Sequence, residues 1–168
     1  DININFKSSS DTEVLLNSIS KFGLKSTLNN INGMFAFALW DKKNNEIILC
    51  RDRFGQKPLY YAYINEVFIF SSELKSIKNF YKKNLSINQE AFYYYNKYGY
   101  INDPMTIYKD VYKLKASNYL KISVDNLMAN YIPESICYWN FRKKTEELSQ
   151  NKYSDFNEAK DKIFQEIN

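Results

Sequence analysis

Two neighbouring segments, MFAFALW and EIILC, are apolar on both faces of the strand that each of them predicts. Side chains alternate between the two faces of a strand, and in residues 34–40 both alternating sets are apolar. Residues 46–50 have the same character and follow the polar turn DKKNN. A sheet made of hairpins normally exposes one face to water. These two strands therefore predict an internal sheet that is covered on each side by a second sheet or by helices.

Other patterns predict the elements around this sheet. Residues 11–22 form a predicted helix, because Ser10 and Glu13 have the spacing of a capping box and Gly23 is a suitable stop. The remaining predicted elements are a hairpin with strands at 59–64 and 67–70, a short helix at 72–77, a longer helix at 87–98, a strand with one wet face at 118–124 and a short last strand at 137–141.

The composition excludes several classes of function. The chain contains no histidine, which excludes Ser-His-Asp and Cys-His mechanisms and HExxH zinc sites within it, and we expect no metal site. The two cysteines, Cys50 and Cys137, lack CxxC spacing, so a reducing cytoplasm fits and Cys50 is expected to be a small buried hydrophobe. No apolar run approaches membrane-spanning length. A net charge of +4, spread along the chain, gives no reason to expect a nucleic-acid partner.

The composition changes after residue 141. Residues 142–154 are polar and charged, and we interpret them as a linker. From residue 155, Asp155 and Glu158 have the spacing of a helix start, and an apolar stripe follows. The first residue is Asp rather than Met. We therefore expect an internal part of a longer protein, in which residues 155–168 begin a further domain.

The motifs NGMFAFALWD, RDRFGQKPLYY and FSSELKSI, which follow SDTEVLL in this order, resemble the glutaminase domain of class II glutamine amidotransferases. Within that group the chain most resembles the glutamine-hydrolysing asparagine synthetase family, and GYINDPMTIYKDVYKLKASNYLKI and CYWNF extend the resemblance. It covers residues 6–141 and implies that residues 1–141 are a partial glutaminase domain. The implied fold is α+β: a four-layer αββα sandwich of two antiparallel sheets, of the N-terminal nucleophile hydrolase type and incomplete at its N-terminus.

The resemblance also implies a reaction. A mature N-terminal cysteine attacks the side-chain amide of glutamine, with its own α-amino group as the base. The released ammonia passes to a C-terminal synthetase domain, to which residues 155–168 would belong, and which uses ATP and Mg to convert aspartate into asparagine. This chain has Asp at residue 1 and lacks the family's upstream arginine loop and Asn-Gly-Glu segment. We therefore expect no catalytic residue in it and no activity from it alone.

The expected partners are glutamine and the protein's own synthetase domain, with a homodimer as an open alternative, and neither nucleic acid nor membrane. No cofactor is expected in this domain. Two other functions stay open. One is a related amidotransferase with a different acceptor, a sugar or a β-lactam precursor, since such enzymes share these motifs. The other is an interaction module without catalytic activity.

Three groups of residues are candidates for the site. The resemblance assigns Asp11 to the α-ammonium group of glutamine, whose cation needs a charged acceptor; the alternative is that Asp11 is favoured only by the dipole of the helix that it begins. Ser72 and Glu73 are candidate interface residues, although a helix N-terminus explains them equally well.

The third group is Arg51, Asp52 and Arg53, with Gly55. These charges follow a buried strand, so they must pair or reach water. In the structural interpretation, which we favour, an Arg-Asp network braces the turn at Phe54 and Gly55, and the glycine supplies a backbone angle that other residues resist. In the functional interpretation, the turn shapes the glutaminase site or the contact with the synthetase domain.

Overall fold

Hydrogen bonding between the apolar strands produces two antiparallel sheets. The computed structural model of the chain describes residues 6–82, 85–129, 131–149 and 155–167. The first sheet has the order β1-β2-β6-β7 and the second the order β4-β3-β5. The strands are β1 Ala36–Asp41, β2 Glu46–Arg51, β3 Tyr60–Ile64, β4 Val67–Ser71, β5 Val111–Lys113, β6 Asn118–Ser123 and β7 Ile136–Cys137. The helices are α1 Asp11–Phe22, α2 Leu24–Asn30, α3 Leu74–Tyr81, α4 Gln89–Tyr98, α5 Val124–Met128, α6 Phe141–Ser149 and α7 Phe156–Ile167.

The fold has four layers, which are α2, the first sheet, the second sheet and α3. One apolar cluster lies between each neighbouring pair of layers. The cluster between the two sheets consists of Leu49, Leu59, Leu114, Leu120 and Ile122. Leu28, Cys50 and Tyr138 form the cluster between the first sheet and α2. Ala62, Ile77 and Val111 form the cluster between the second sheet and α3. Successive residues of a strand point to opposite faces, so Leu49 and Cys50 of β2 enter different clusters. The predicted αββα sandwich is confirmed, and Cys50 is the buried hydrophobe that the sequence predicts.

The prediction of doubly covered strands is correct for β2 and wrong for β1. From Ile48 to Arg51, β2 is buried, because β1 and β6 flank it within the sheet and its two faces pack into different apolar clusters, through Leu49 and Cys50. Within the described residues β1 is the edge of its sheet. Its neighbour Met34 is 59% exposed and Trp40 within it is 46% exposed. Apolar composition alone does not distinguish an edge strand from a central strand.

Most predicted elements are present, with shifted ends. Helix α1 has the predicted bounds, and β3 and β4 form the predicted hairpin, because Asn65 and Glu66 both adopt the positive φ of a tight turn. Helix α4 begins at Gln89, because Asn88 caps it and Ile87 pairs with Tyr108 instead.

Three sequence interpretations need correction. The reciprocal capping box of α1 does not form, because Glu13 bonds with Lys7 and Ser8. The predicted wet face of β6 is partly covered, since Tyr119 packs against the α2-side cluster. The predicted last strand is only β7, and α6 begins at Phe141. The described part of the predicted linker, residues 142–149, is therefore helical; residues 150–154 lie outside the described residues.

Candidate active site

A cleft of about 790 Å³ opens beside α1 and the start of β1. Helix α1 forms one wall with Asp11, Thr12, Val14, Leu15 and Ser18, residues 31–37 form the floor, and Lys57, Pro58 and Ser72 complete the rim. The lining combines apolar side chains with a few polar groups. Such a combination is typical of small-molecule sites, in which apolar walls supply contact area and polar groups orient the ligand.

The N-terminal turn of α1 places Asp11 at this cleft. The Ser10 hydroxyl caps the helix by accepting a hydrogen bond from the Thr12 N–H at 3.2 Å. Glu13 accepts from the backbone N–H groups of Lys7 and Ser8 at 2.8 and 2.7 Å, and these bonds hold the pKa of Glu13 below its usual value. Within the described residues, the exposed Asp11 carboxylate accepts a single long bond, 3.4 Å, from the Thr12 hydroxyl. It therefore retains most of its capacity to accept a ligand's hydrogen bonds.

Arg51 is buried and holds the turn that leads to Lys57 and Pro58 at the rim of the cleft. Its side chain is 4% exposed, and every hydrogen bond that its guanidinium donates goes to an acceptor outside the RDR motif. These acceptors are the carbonyl oxygens of Lys57 at 2.8 Å, Leu114 at 2.6 Å and Gly55, and the carboxylate of Asp103 at 2.6 Å. A planar guanidinium with this many partners has a single orientation.

Asp52 organises the same turn through backbone groups. Its carboxylate accepts from the N–H groups of Phe54 at 3.1 Å, Gln56 at 2.9 Å and Lys57 at 3.0 Å. Burial raises the pKa of Asp52, but these N–H groups outweigh burial and leave its pKa below the usual value. The carboxylate that Arg51 contacts is Asp103. The predicted Arg-Asp network that braces the turn is therefore present, and it includes a carboxylate outside the motif.

Gly55 has the backbone angle that the sequence predicts, and also a steric role. Its φ is +63°, in the left-handed region that favours glycine. A Cβ at this position would lie 2.8 Å from Cζ and Nη2 of Arg51 and 3.1 Å from Cβ of Ala116. The turn can therefore close over Arg51 only if residue 55 has no side chain.

Arg53 connects the turn to the floor of the cleft. Its Nη1 donates to Oδ1 of Asn32 at 2.6 Å, and its Nη2 donates to the carbonyl of Asn29 at 2.9 Å. On its other side the guanidinium lies 5.6 Å from the centre of the Trp139 ring, within cation-π range. The backbone of the floor is tied to the same motif, because the Asp52 N–H donates to the carbonyl of Phe35 at 2.9 Å.

The structure brings together only part of the predicted site. Asp11 and Ser72 line the cleft. Arg51, Asp52, Arg53 and Gly55 support the segments that line it, and none of the four lines it. Glu73 is the exposed N-cap position of α3, with its own N–H donating to Ser71, and it does not line the cleft.

Sequence reasoning did not select Thr12, Asn32 and Lys57, which also line the cleft. Each stands inside a motif that was recognised: SDTE, NGMFAF and RFGQKP.

Neither cysteine lines the cleft. Cys50 is fully buried and burial raises the pKa of its thiol, which suppresses the thiolate needed for attack. Asp11 and Lys57 are the charged residues among the described lining. The described lining of the cleft therefore carries one charged group of each sign.

Comparison with known proteins identifies what the chain is similar to. A family model described as glutamine amidotransferase domain matches residues 1–132. A protein of Methanocaldococcus jannaschii, named provisionally as asparagine synthetase (glutamine-hydrolyzing) 2, is 41% identical over 126 residues, which are 73% of this chain and 24% of that protein. Asparagine synthetase (glutamine-hydrolyzing) 1 of Bacillus subtilis is 34% identical over 120 residues, 71% of this chain and 19% of that protein. This chain thus spans about a quarter or less of the relatives that it matches.

Comparison with solved structures shows a similar fold in a further amidotransferase. It is the glutamine phosphoribosylpyrophosphate amidotransferase of B. subtilis in complex with ADP and GMP. The similarity has a TM-score of 0.52 and 18% sequence identity, and covers 82% of this chain and 24% of that one. At this identity the similarity concerns the arrangement of sheets and helices.

Proposed function

This chain belongs to the glutamine amidotransferase domain family, and we propose that it is the glutaminase part of a glutamine-hydrolysing asparagine synthetase. The observation that carries the proposal is its similarity, along more than two thirds of its length, to two proteins that are named as such synthetases. The cleft adds support, because the carboxylate of Asp11 and the apolar side chains in its lining suit a small amino acid.

In this proposal the Asp11 carboxylate accepts a hydrogen bond from the α-ammonium group of glutamine. The positive end of the α1 dipole favours an anionic group at this position, and the carboxylate, which accepts a long bond from the Thr12 hydroxyl, has further lone pairs for a charge-assisted hydrogen bond. Val14 and Leu15 supply apolar contacts for the aliphatic part of the ligand. The cysteine nucleophile that the family resemblance implies is neither Cys50 nor Cys137, so the role of this chain is to bind and orient glutamine.

The rest of the proposed reaction belongs to the complete protein. Ammonia released from glutamine would amidate aspartate in a synthetase domain. That domain would use ATP and Mg, whereas this chain would bind glutamine without them. Residues 1–141 would be the glutaminase part, 142–154 the connection and 155–168 the start of the synthetase part. The exposed apolar side chains of α7, Phe156, Ile163 and Phe164, support a partner domain there.

Location and assembly are part of the same proposal. We place the protein in the cytoplasm, since both cysteines are free thiols. Within the described residues, no helix combines the length and the apolar content that crossing a membrane requires. A homodimer remains an open part of the proposal.

The direct test is to supply the complete protein with ATP, aspartate and either glutamine or ammonia. We expect asparagine from both nitrogen donors and glutamate from glutamine. Glutamate without asparagine would keep the glutaminase but require another acceptor. If glutamine yields no glutamate, the proposal is wrong and the domain is an interaction module.

Replacing Asp11 by alanine in the complete protein should raise the KM for glutamine about 10- to 100-fold, because a hydrogen bond to a charged group contributes about 1.5–3 kcal/mol. Ammonia-dependent synthesis should stay unchanged, because ammonia does not use this cleft. The measurement is steady-state kinetics with each donor in turn.

Asp125→Ala is the matched control for this variant. Asp125 is an exposed acid in the first turn of α5 and does not line the cleft, so its removal reports the helix-dipole contribution alone. We expect it to leave the KM for glutamine unchanged. An equal effect of the two substitutions, or a parallel loss of ammonia-dependent synthesis in Asp11→Ala, would contradict the role of Asp11.

A further inference from the structure

We propose that Asn32 is a glutamine-binding residue and that Arg53 is the positioning residue that orients it. The inference rests on the proposed function, because it takes glutamine as the ligand of the cleft. Asn32 lines the cleft, and Arg53 lies behind it without lining it. The two side chains meet through the 2.6 Å bond from Nη1 of Arg53 to Oδ1 of Asn32.

The chemistry of this pair determines which way the Asn32 carboxamide faces. A guanidinium has donors and no acceptors, so the atom of Asn32 that meets it must be the oxygen. The amide NH2 is then the group that remains for a ligand. Within the described residues, that NH2 donates no hydrogen bond to the protein. Glutamine carries oxygen acceptors in its carboxylate and its side-chain amide, and either can accept from this donor.

Arg53 is itself held from several directions. Its second nitrogen, Nη2, bonds to the carbonyl of Asn29, and the ring of Trp139 covers its guanidinium. Its own carbonyl accepts from the hydroxyl of Ser117 at 2.6 Å. These contacts come from the end of α2, from the segment before β6 and from the segment after β7. Arg53 therefore cannot follow a rotation of Asn32 and instead resists it.

One feature of Arg53 is unfavourable for stability. Its Nε is buried and has no hydrogen-bond partner within the described residues. A buried donor without a partner costs free energy and offsets part of what the other contacts of Arg53 contribute to stability. Orientation of a ligand-binding group is a role that this cost does not diminish.

The test compares variants of the complete protein by their KM and kcat for glutamine. Loss of one neutral hydrogen bond should raise the KM for glutamine about fivefold in Asn32→Ala. Asn32→Asp keeps an acceptor for Arg53 but removes the NH2 donor, so it should raise KM at least as much. Arg53→Met should raise KM about threefold. In each variant kcat and ammonia-dependent synthesis should stay near the wild-type values.

The double variant decides whether Arg53 acts through Asn32. If it does, Arg53→Met combined with Asn32→Ala should have the KM of Asn32→Ala alone, because the effects of two residues in one contact do not add. Arg53→Lys supplies a second variant if the methionine variant does not fold. Two variants serve as controls and should behave like wild type. Asn30→Ala changes the last residue of α2, which does not line the cleft, and Arg142→Met changes an exposed arginine of α6.

The outcomes separate this inference from the proposed function. If the wild-type protein uses glutamine and Asp11→Ala impairs that use, while Asn32 and Arg53 variants keep the wild-type KM, the inference is wrong and the proposed function stands. Additive effects, or a fall of kcat at unchanged KM, would also overturn it. If the wild-type protein does not hydrolyse glutamine, both fail together.

Discussion

Replacing Gly55 by alanine is expected to destabilise the folded protein by about 2–4 kcal/mol, which combines about 1 kcal/mol for the left-handed backbone with about 1–3 kcal/mol for overpacking. The new Cβ would lie 2.8 Å from Cζ and Nη2 of Arg51. The guanidinium cannot move away without breaking its bonds to Asp103 and Leu114, which hold it in a buried position. The measurement is urea-induced unfolding, with the slope m compared between variants.

Gly99→Ala is the matched control. Gly99 has a φ of +79°, so alanine there meets the same kind of backbone cost, but no atom lies within 4 Å of its added Cβ. We expect a loss of only about 1 kcal/mol. Equal losses for the two variants would show that Arg51 adjusts freely and that the turn is not braced as described.

Replacing Asp52 by asparagine is expected to cost about 2–4 kcal/mol, because all three of its hydrogen bonds from backbone N–H groups lose a charged acceptor and at least one loses its acceptor altogether. Asparagine has one acceptor oxygen, and its NH2 would face an N–H group of the turn. Asp52 is 1% exposed, so water cannot replace the lost acceptor. Thermal and urea unfolding of the two proteins measure the difference.

Asp41→Asn is the comparison for this variant. The Asp41 carboxylate also accepts from backbone N–H groups, those of Lys43 at 2.9 Å and Asn44 at 3.1 Å, but it does so in the turn between β1 and β2, where water has access. We expect a clearly smaller loss than in Asp52→Asn. If the two losses are equal, burial does not strengthen the Asp52 bonds.

The same carboxylate predicts a pH dependence. The pKa of Asp52 is lower in the folded protein than the ordinary value of about 3.9 in an unfolded chain. Its contribution to stability is therefore fully present above the unfolded pKa and is lost as the pH falls through the folded pKa. Wild-type stability should fall more steeply on acidification below about pH 4 than that of Asp52→Asn. Parallel pH profiles would contradict the assignment.

Local sequence predicted most secondary structure in this chain. The hairpin around Asn65 and Glu66 and the helix stops at Gly23 and Gly99 depend on residues that are adjacent or one turn apart, so the sequence contains the whole interaction. The capping box of α1 failed for a similar local reason. The Glu13 carboxylate accepts hydrogen bonds from the backbone N–H groups of Lys7 and Ser8, which precede the helix. These two residues lie outside the S-x-x-E pattern, so the pattern could not predict the bonds.

The candidate site was predictable only where a motif pointed to it. Asp11 was selected through its motif and lies at the cleft. Asn32 and Lys57 were not selected, although both line the cleft. The dipeptides Asn-Gly and Lys-Pro predict backbone conformation and do not indicate whether a side chain lines a cleft. An Arg-Asp network around RDR was expected, but the motif does not show which carboxylates belong to it. The carboxylate that Arg51 contacts is 52 residues away, at Asp103.

By itself the sequence determined the alternation of the strands, the turns between them, the helix stops and the order of motifs that places the chain in its family. These features follow from the spacing of apolar residues and from the backbone preferences of glycine and asparagine, which act over a few residues. Only the tertiary structure decided that β1 is the edge of its sheet among the described residues and that Arg51 meets Asp103. It also decided that Arg53 orients toward Asn32, 21 residues away. Those contacts depend on how two sheets and their helices stack, and stacking brings together side chains whose separation along the chain carries no signal.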